Sequence, residues 1–476
     1  MKQDYWWGIF SNKLTERILP AKIGLPMFDN VFFIPVFDKF ILHAPLHGVT
    51  ALVNEKAAQE LAGGRTFAKG SPLYEINKEL SVPAAAPPVR EGPPEAFFLG
   101  LVTTRNCNLS CAYCGFGASA APKSAMTLDQ AVAAVDWMVE NSLQAGKREL
   151  NIHFFGGEPF LAWDLVEVVV HKARWEAAKH GLVPHFETST NGILPEKRAR
   201  FVGDYFDVVV LSLDGFREYH DRNRAMTADR GSFEWVCETA RIWSEMPAKL
   251  CLRTCVTADS VSHLEDIGRW YCEAFKPDTV NFDTLQTWPE SMAAGLFPPD
   301  PYEFASHFVK ARKAIRAYGV ETVYAADYTP EPRHSFCPVG KDTIIVTPNG
   351  RLNNCYLLEK DWQVRGLDLN LGAINNNQEL EINRDAVNRL RKHVTLKPSC
   401  ESCFCKWSCA GGCHVNHSYP NAVLDADFCI QSRVITACSL LEELGEPEMA
   451  EALAAGRPAM EALSTRINYC EQIPVC

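Results

Sequence analysis

Six short apolar runs recur along the middle of the chain, and longer amphipathic stretches separate them. The apolar runs predict strands at 97–103, 149–155, 184–189, 207–213, 249–256 and 279–286. The amphipathic stretches predict helices at 127–145, 159–180, 195–202, 231–246 and 263–275. Thr127 and Gln130 form a capping-box pattern at the start of the first helix. Because strands that alternate with crossover helices build parallel sheets, the pattern predicts an α/β fold with an open or partial (β/α)6 barrel.

The segments on either side of this repeat differ from it. Residues 1–82 predict a small α+β unit, and the Pro- and Ala-rich stretch 83–95 predicts a linker to the barrel at 96–330. Short segments, turns and cysteines dominate 331–440, and 441–476 predict a closing helical tail. In such a barrel, we expect the functional residues at the carboxyl ends of the strands.

Composition narrows the class of protein. The chain has 476 residues with 47% hydrophobic and 22% charged residues, which is typical of folded domains. Its net charge of −11 disfavours nucleic acid as a partner because phosphates would be repelled. No apolar run has membrane-spanning length and no signal peptide is recognisable, so we expect a cytoplasmic protein without a membrane partner. In a reducing cytoplasm, the 18 cysteines indicate metal or redox chemistry rather than disulfides.

The first predicted strand leads into three cysteines with the spacing C-x3-C-x2-C. They are Cys107, Cys111 and Cys114. Such a loop can bind three irons of a [4Fe–4S] cluster through thiolates, which leaves the fourth iron open for another ligand. Buried or incidental thiols are the structural alternative.

Polar residues and glycines mark the ends of the following strands. In chain order they are Gly156, Gly157 and Glu158, then Ser189 and Asn191, then Ser212 and Asp214, with Arg253 on the fifth strand. Hydroxyl, amide and charged groups at strand ends suit the polar groups of a ligand, although each motif alone is also typical of a plain turn or a salt bridge. His153, Cys251 and Cys255 are interpreted as core residues.

The triad and these strand ends together resemble the radical S-adenosylmethionine (SAM) superfamily. The resemblance implies a cluster on the triad and SAM on its open iron. It also implies that the strand-end residues contact SAM, with Glu158 at the methionyl amino group and Arg253 at the carboxylate. Tyr113 and Phe116 would lie near the adenine. Enzymes of this superfamily cleave SAM reductively and use the 5′-deoxyadenosyl radical to abstract a hydrogen atom.

A second group of cysteines lies behind the predicted barrel, at Cys337, Cys355, Cys400, Cys403, Cys409, Cys413 and Cys429. Zinc sites are the alternative reading, since thiolates bind either metal. The pattern resembles the SPASM domain of radical SAM enzymes that modify peptides and proteins, which implies two auxiliary [4Fe–4S] clusters and three clusters in all. One auxiliary cluster would take Cys337, Cys355 and Cys413, and the other would take Cys400, Cys403, Cys409 and Cys429. The fourth ligand of the first is either absent or supplied by Cys405, Cys438, Cys470 or Cys476.

The residue after Cys355 bears on the reaction. Sulfatase-maturing relatives have an aspartate base there, whereas this chain has Tyr356. Tyr356 and Asp283, on the sixth strand, are the candidate catalytic bases, and a structural role is the alternative for each.

The chain also resembles the maturases of quinohemoprotein amine dehydrogenase, which join cysteine sulfur to side-chain methylene carbons in the small subunit. This resemblance implies thioether formation in a Cys-rich peptide or small protein, such as that subunit, with flavodoxin or ferredoxin as reductant. Formylglycine-forming sulfatase maturation and cyclophane formation are alternatives.

A non-catalytic iron–sulfur electron carrier is an alternative of another class. A carrier would not need the SAM-pocket residues Glu158, Asn191 and Asp214. Part of residues 1–82 resembles the start of a precursor-peptide recognition element, for which a simple cap on the barrel is the alternative.

Overall fold

The computed structural model describes residues 30–116, 123–226, 230–287, 289–393, 400–415 and 426–465. The first unit in these ranges is an antiparallel sheet with the order β1-β2-β3 and two helices beside it. Its elements are β1 (Phe32–Val36), β2 (Lys39–Ala44), β3 (Val49–Asn54), α1 (Glu55–Ala62) and α2 (Pro72–Leu80). Phe33, Leu42 and Leu61 belong to a small hydrophobic core of this unit.

Six parallel strands form the centre of the molecule, as the apolar runs predict. They are β4 (Leu99–Thr104), β5 (Glu149–Gly156), β6 (Val183–Thr190), β7 (Val208–Ser212), β8 (Lys249–Val256) and β9 (Thr279–Thr284). The helices between them are α3 (Leu128–Gln144), α4 (Trp163–His180), α5 (Glu196–Tyr205), α6 (Arg217–Asn223), α7 (Phe233–Trp243) and α8 (Leu264–Phe275). The Thr127–Gln130 capping box is present. The fold is therefore a mixed α/β fold with a partial barrel.

Alternation along the strands separates two faces. Phe154, Phe186 and Leu252 are buried on the outer face, where the helices pack. Their neighbours His153 and Glu187 lie on the inner face. A hydrogen bond from Trp243 Nε1 to the Ala199 carbonyl (2.8 Å) joins helices α7 and α5. A hydrogen bond from Thr188 Oγ1 to the Phe154 carbonyl (3.2 Å) joins strands β6 and β5. The inner face encloses a lumen that the helices do not fill.

The sheet continues beyond the barrel on both sides. The next elements are α9 (Pro289–Ala293), α10 (Pro301–Arg316) and β10 (Glu321–Val323), followed by β11 (Ile344–Val346), β12 (Arg351–Asn353), α11 (Glu359–Gln363), β13 (Asn370–Ile374) and β14 (Leu380–Ile382). In the described ranges these strands complete an eleven-stranded sheet, in which β11 pairs in parallel with β4. The cysteine-rich region is thereby attached to the strand that precedes the triad.

Helices close the described chain. They are α12 (Arg384–His393), α13 (Lys406–Cys409), α14 (Ala426–Glu443), α15 (Pro447–Ala455) and α16 (Arg457–Thr465). Arg312 of α10 forms ion pairs with Asp327 (3.3 Å) and Glu442 (2.9 Å), which attach α14 to the barrel. Within the described ranges, none of the helices combines the length and apolarity that a bilayer span requires.

Candidate functional site

The cysteine triad lies in the loop that leaves the carboxyl end of β4. Backbone hydrogen bonds of 2.9 Å, donated by Ser110 and Ala112, hold this loop against the end of α6 and the segment after it. Burial is the main cause that raises the pKa of Cys107 to about 11 and that of Cys111 to about 12, and the other triad thiols contribute to both. Three neighbouring, partly exposed thiols at the barrel mouth fit the donor set of a [4Fe–4S] cluster with one open iron.

Asn191 and Glu158 connect the triad loop to the strand ends. Asn191 Nδ2 donates to Asn108 Oδ1 (2.8 Å) and contacts Cys107 Sγ (3.7 Å). The Glu158 carboxylate accepts hydrogen bonds from the Asn191 backbone N–H (2.8 Å), Thr190 Oγ1 (2.8 Å) and the backbone N–H of residue 160 (3.2 Å). Burial raises the pKa of Glu158 to about 7. These donors occupy three of about four lone-pair positions of the carboxylate. Glu158 therefore links the end of β5 to the end of β6. Its contact with SAM stays a prediction.

Gly156 and Gly157 are required by their surroundings. A Cβ at Gly156 would collide with the Thr104 carbonyl oxygen, and one at Gly157 would collide with that of Asn106. The Gly157 N–H donates to the Thr104 carbonyl (2.8 Å). The two glycines therefore let the end of β5 pass close to the start of the triad loop, and their backbone contact with SAM stays a prediction.

Asp214 lies in a buried network below the same loop. Its carboxylate accepts hydrogen bonds from Tyr113 Oη and the Cys255 N–H (3.0 Å), and it forms an ion pair with Arg224 (Nε to Oδ1, 3.1 Å). Burial raises the pKa of Tyr113 well above its usual value. Asp214 is 1% exposed, and its hydrogen bond with Tyr113 anchors the triad loop. Contact of either residue with SAM stays a prediction. Sequence reasoning missed Arg224, which follows a short helix without a recognisable motif.

Arg253 and Asp283 meet on the inner face of the barrel. Arg253 Nε lies 2.9 Å from Asp283 Oδ2, so the predicted SAM-carboxylate partner is paired with a predicted base. Cys251 and Cys255 are partly exposed on the same face. Their interpretation as core residues was wrong, because strand alternation places them beside Arg253 in the lumen.

Tyr356 reaches into the lumen from the loop after β12. Its hydroxyl lies 2.5 Å from His153 Nδ1, and His153 Nε2 lies 3.4 Å from Ser189 Oγ. The Tyr356 ring packs 4.3 Å from that of Phe155, and Gly100 leaves space for its hydroxyl. Burial raises the pKa of Tyr356 well above its usual value and lowers that of His153 to about 4. His153 is thus a hydrogen-bonded histidine of the inner face, in agreement with its interpretation as a core residue with satisfied ring nitrogens.

Two further predicted SAM contacts line the upper lumen. Phe116 packs edge-on against Phe155, with 4.7 Å between ring centroids. Ser212 ends β7 on the inner face, in register with Arg253. Their role towards SAM stays a prediction.

The three predicted ligands of the first auxiliary cluster lie near each other, since the Cys337 and Cys413 thiols act on Cys355, and we call them the first auxiliary site. Burial, with smaller effects of the Cys337 and Cys413 thiols, raises the pKa of Cys355. The described candidates for a fourth ligand lie elsewhere, since Cys405 lines the second site and Cys438 Sγ contacts a carbonyl of α15 (3.5 Å). Cys470 and Cys476 lie outside the described residues.

Arg105 lies between the triad and the first auxiliary site. It is 8% exposed, and its Nη1 donates to the Tyr356 carbonyl (3.3 Å). Burial lowers the pKa of Arg105, while the nearby Glu359 carboxylate and the Cys355 and Cys114 thiols favour its charged form. The Arg105 guanidinium, which the sequence did not indicate, therefore lies near Cys114 of the triad and near Cys355 of the first auxiliary site.

The second auxiliary site is a small cavity lined by thiols. Its lining includes Cys400, Cys403, Cys409 and Cys429, together with Cys405 and Arg433. A hydrogen bond with Cys405 and the charge of Arg433 lower the pKa of Cys403 to about 6, and burial raises that of Cys409 to about 12. The four predicted ligands of this site are therefore together.

Zinc is the alternative metal for these cysteines, since a tetrahedral zinc ion is bound by thiolates at about 2.3 Å. Within the part of the chain that the structure describes, no three His, Cys, Asp or Glu side chains form a group that could hold a single ion.

Comparisons with known proteins agree with this geometry. Residues 101–267 match the radical SAM superfamily and residues 337–404 match SPASM, an iron–sulfur cluster-binding domain. The PqqA peptide cyclase of Bradyrhizobium diazoefficiens is 24% identical over 325 residues, which cover 66% of this chain and 80% of that protein. The cysteine-type anaerobic sulfatase-maturating enzyme of Clostridium perfringens is 24% identical over 348 residues, which cover 68% of this chain and 91% of that protein.

A solved structure shows the same fold. The sulfatase-maturating enzyme anSMEcpe, solved with bound SAM and the peptide Kp18Cys, superposes with a TM-score of 0.58 at 18% identity. The alignment covers 75% of this chain and 98% of that one. The chain therefore contains a radical SAM domain and a SPASM domain, and its homologues include enzymes named for their action on peptides and on sulfatases.

Proposed function

We propose that the protein forms thioether cross-links in a Cys-rich peptide or small protein, by joining a cysteine sulfur to an unactivated carbon. The observation that supports this proposal is the first auxiliary site, where the Cys337 and Cys413 thiols lie near Cys355 and the sequence has no cysteine between Cys337 and Cys355. Because Tyr356 enters the lumen directly after Cys355, this donor set lies beside the space for substrate. A substrate thiolate would complete it.

The proposal includes SAM and three [4Fe–4S] clusters, on the triad and on the two auxiliary sites. When bound, the triad cluster and SAM supply the 5′-deoxyadenosyl radical, and the auxiliary clusters provide one-electron acceptors. The chain itself orients these groups. Asn191 holds the triad loop against the strand ends, and Arg224 with Asp214 fixes the same loop from the other side.

The lumen residues are proposed to orient SAM and substrate. The hydroxyls of Ser189 and Ser212, the Arg253 guanidinium and the Phe116 ring line its upper part. Tyr356 and Asp283 remain candidate catalytic residues, each with a partner in the structure. Enclosing the reacting carbon in this lumen would keep water away from a radical.

The proposed partners are a cytoplasmic peptide substrate and a reductant of the flavodoxin or ferredoxin type. The small Cys-rich subunit of a quinohemoprotein amine dehydrogenase is the proposed substrate to test first. Residues 1–82 are proposed to recognise the substrate, since β3 is an edge strand in the described sheet.

Mass spectrometry of this subunit after anaerobic incubation with the reconstituted protein, SAM and a reductant tests the proposal. Each thioether removes two hydrogens and one alkylatable thiol, so the expected product is lighter by two hydrogens per bridge and takes up correspondingly less thiol reagent. Substituting the triad, Cys107→Ala with Cys111→Ala and Cys114→Ala, serves as the inactive control.

Other products would overturn the proposal in favour of a named alternative. A carbonyl that reacts with hydrazides indicates formylglycine formation. Loss of two hydrogens with all thiols alkylatable indicates carbon–carbon cyclisation. Absence of SAM cleavage in a fully reconstituted protein indicates an electron carrier.

A further inference from the structure

Glu187 stands out among the carboxylates around the lumen. It lies on the inner face of β6, directly opposite His153 of β5 in the strand register. Three residues separate it from the end of β6, which places it about 10 Å below the strand ends at about 3.3 Å per residue. Within the described residues, its carboxylate has neither a hydrogen bond nor an ion pair, and the side chain is open to the lumen.

The other candidate proton acceptors are engaged. Glu158 accepts three hydrogen bonds, and Asp214 is paired with Arg224. Asp283 is paired with Arg253, and the Tyr356 hydroxyl is 2.5 Å from His153. A base needs an oxygen that can accept a proton, and among these groups Glu187 is the one whose carboxylate has no hydrogen bond or ion pair in the described residues.

We propose that Glu187 is the general base that accepts the proton which the substrate loses during its oxidation. This inference rests on the proposed function. In thioether formation, the substrate C–H bond breaks homolytically and its hydrogen atom goes to the 5′-deoxyadenosyl radical. The thiol proton goes to a Glu187 carboxylate oxygen when the substrate sulfur becomes the thiolate that would bind the first auxiliary site. The S–C bond then forms, and the one remaining electron goes to an oxidised iron–sulfur cluster.

The surroundings of Glu187 favour this role. His153 faces Glu187 from β5, and Val208 is the register partner of Glu187 on β7. Cys251 of β8 and Tyr356 of the loop after β12 also lie near Glu187. Burial lowers the pKa of His153 and raises those of Tyr356 and Cys251, so these neighbours remain uncharged near neutral pH. No cation among them neutralises Glu187, and burial raises its pKa, which strengthens it as a base.

Glu187→Gln keeps the shape of the side chain and removes the proton acceptor. We expect it to bind substrate and release 5′-deoxyadenosine as the unmodified protein does, with about 100-fold less cross-linked product, the low end of a general base contribution. Glu187→Asp should restore part of the product. Glu238→Gln, an exposed position on α7, is the matched control.

The pH profile provides a readout that a merely structural role would not change. A base acts when deprotonated, so product formation should rise with pH through the raised pKa of Glu187, and this rise should be absent in Glu187→Gln. Equal cross-linking per 5′-deoxyadenosine in Glu187→Gln and the unmodified protein would overturn the inference. So would a rise in KM alone, since that indicates substrate binding. If the unmodified protein forms no thioether, the proposed function itself fails, and the two failures are thus distinguishable.

Discussion

The two auxiliary cysteine sites use the same kind of ligand in different surroundings. The second site is a small cavity within the C-terminal region, where Cys405 and Arg433 accompany the four predicted ligands. The first site has three thiols and borders the barrel through Tyr356 and Arg105. From this difference in surroundings we propose that the second site serves electron transfer and stability, while the first site, beside the lumen, meets the substrate.

Removing ligands from the first or from the second auxiliary site should affect stability and product formation differently. We expect this difference to be the largest of the predicted effects. Cys403→Ser with Cys409→Ser should lose one cluster and at least about 4 kcal/mol of stability, as loss of a buried metal site does. Cys337→Ser with Cys355→Ser should also lose one cluster, yet remain folded and release 5′-deoxyadenosine without cross-linked product. Iron analysis, thermal unfolding and product analysis measure these outcomes. Equal destabilisation by both pairs would contradict the comparison.

Gly100→Ala tests how closely the first site is coupled to the lumen. The added Cβ would lie 2.5 Å from Tyr356 Oη and 2.9 Å from Ile345 Cγ1, so Tyr356 must move. We expect a loss of about 1–3 kcal/mol, as for other overpacked sites, together with reduced product. Gly456→Ala is the control, because a Cβ there meets its neighbours at 3.4 Å or more. Unchanged thermal unfolding in Gly100→Ala would show that Tyr356 is not held in this position.

Tyr356→Phe removes only the hydroxyl that contacts His153. Because a buried hydrogen-bonding nitrogen then loses its partner, we expect about 1–2 kcal/mol of destabilisation in chemical unfolding. Tyr318→Phe is the comparison, since the hydroxyl of that exposed tyrosine contacts Glu273 at the surface (2.6 Å). A larger loss in Tyr318→Phe would argue against the buried contact.

Arg433 and Arg105 should each shift the reduction potentials of different cysteine sites. We expect these shifts to be the smallest of the predicted effects. Removing a nearby positive charge stabilises the oxidised cluster and lowers its reduction potential. Arg433→Gln should therefore lower the potential of the second site alone, and Arg105→Gln that of the first site and the triad. Potentiometric titration followed by electron paramagnetic resonance measures each shift. An equal shift at all three sites in either variant would show that the sites are not electrostatically separate.

Local patterns in the sequence predicted the strands, the Thr127 capping box and the cysteine groups. Long-range contacts were not predictable: Arg105 contacts Tyr356, Arg224 lies over the Tyr113 ring, and β11 pairs with β4, which join segments far apart in the chain. Cys251 and Cys255 were misplaced although a signal existed. Both share a strand face with Arg253, and a charged residue seldom points into a helix-covered core.

Electron paramagnetic resonance of the reduced protein tests the openness of the first auxiliary site most directly. The cross-linkable Cys-rich subunit is compared with a version in which its cysteines are replaced by serine. The signal of the first site is the one that disappears in the double variant Cys337→Ser with Cys355→Ser. The account predicts that the cysteine-containing subunit changes this signal and that the serine version does not. The signal of the second site should stay unchanged with both. Identical first-site signals with both forms would contradict the account.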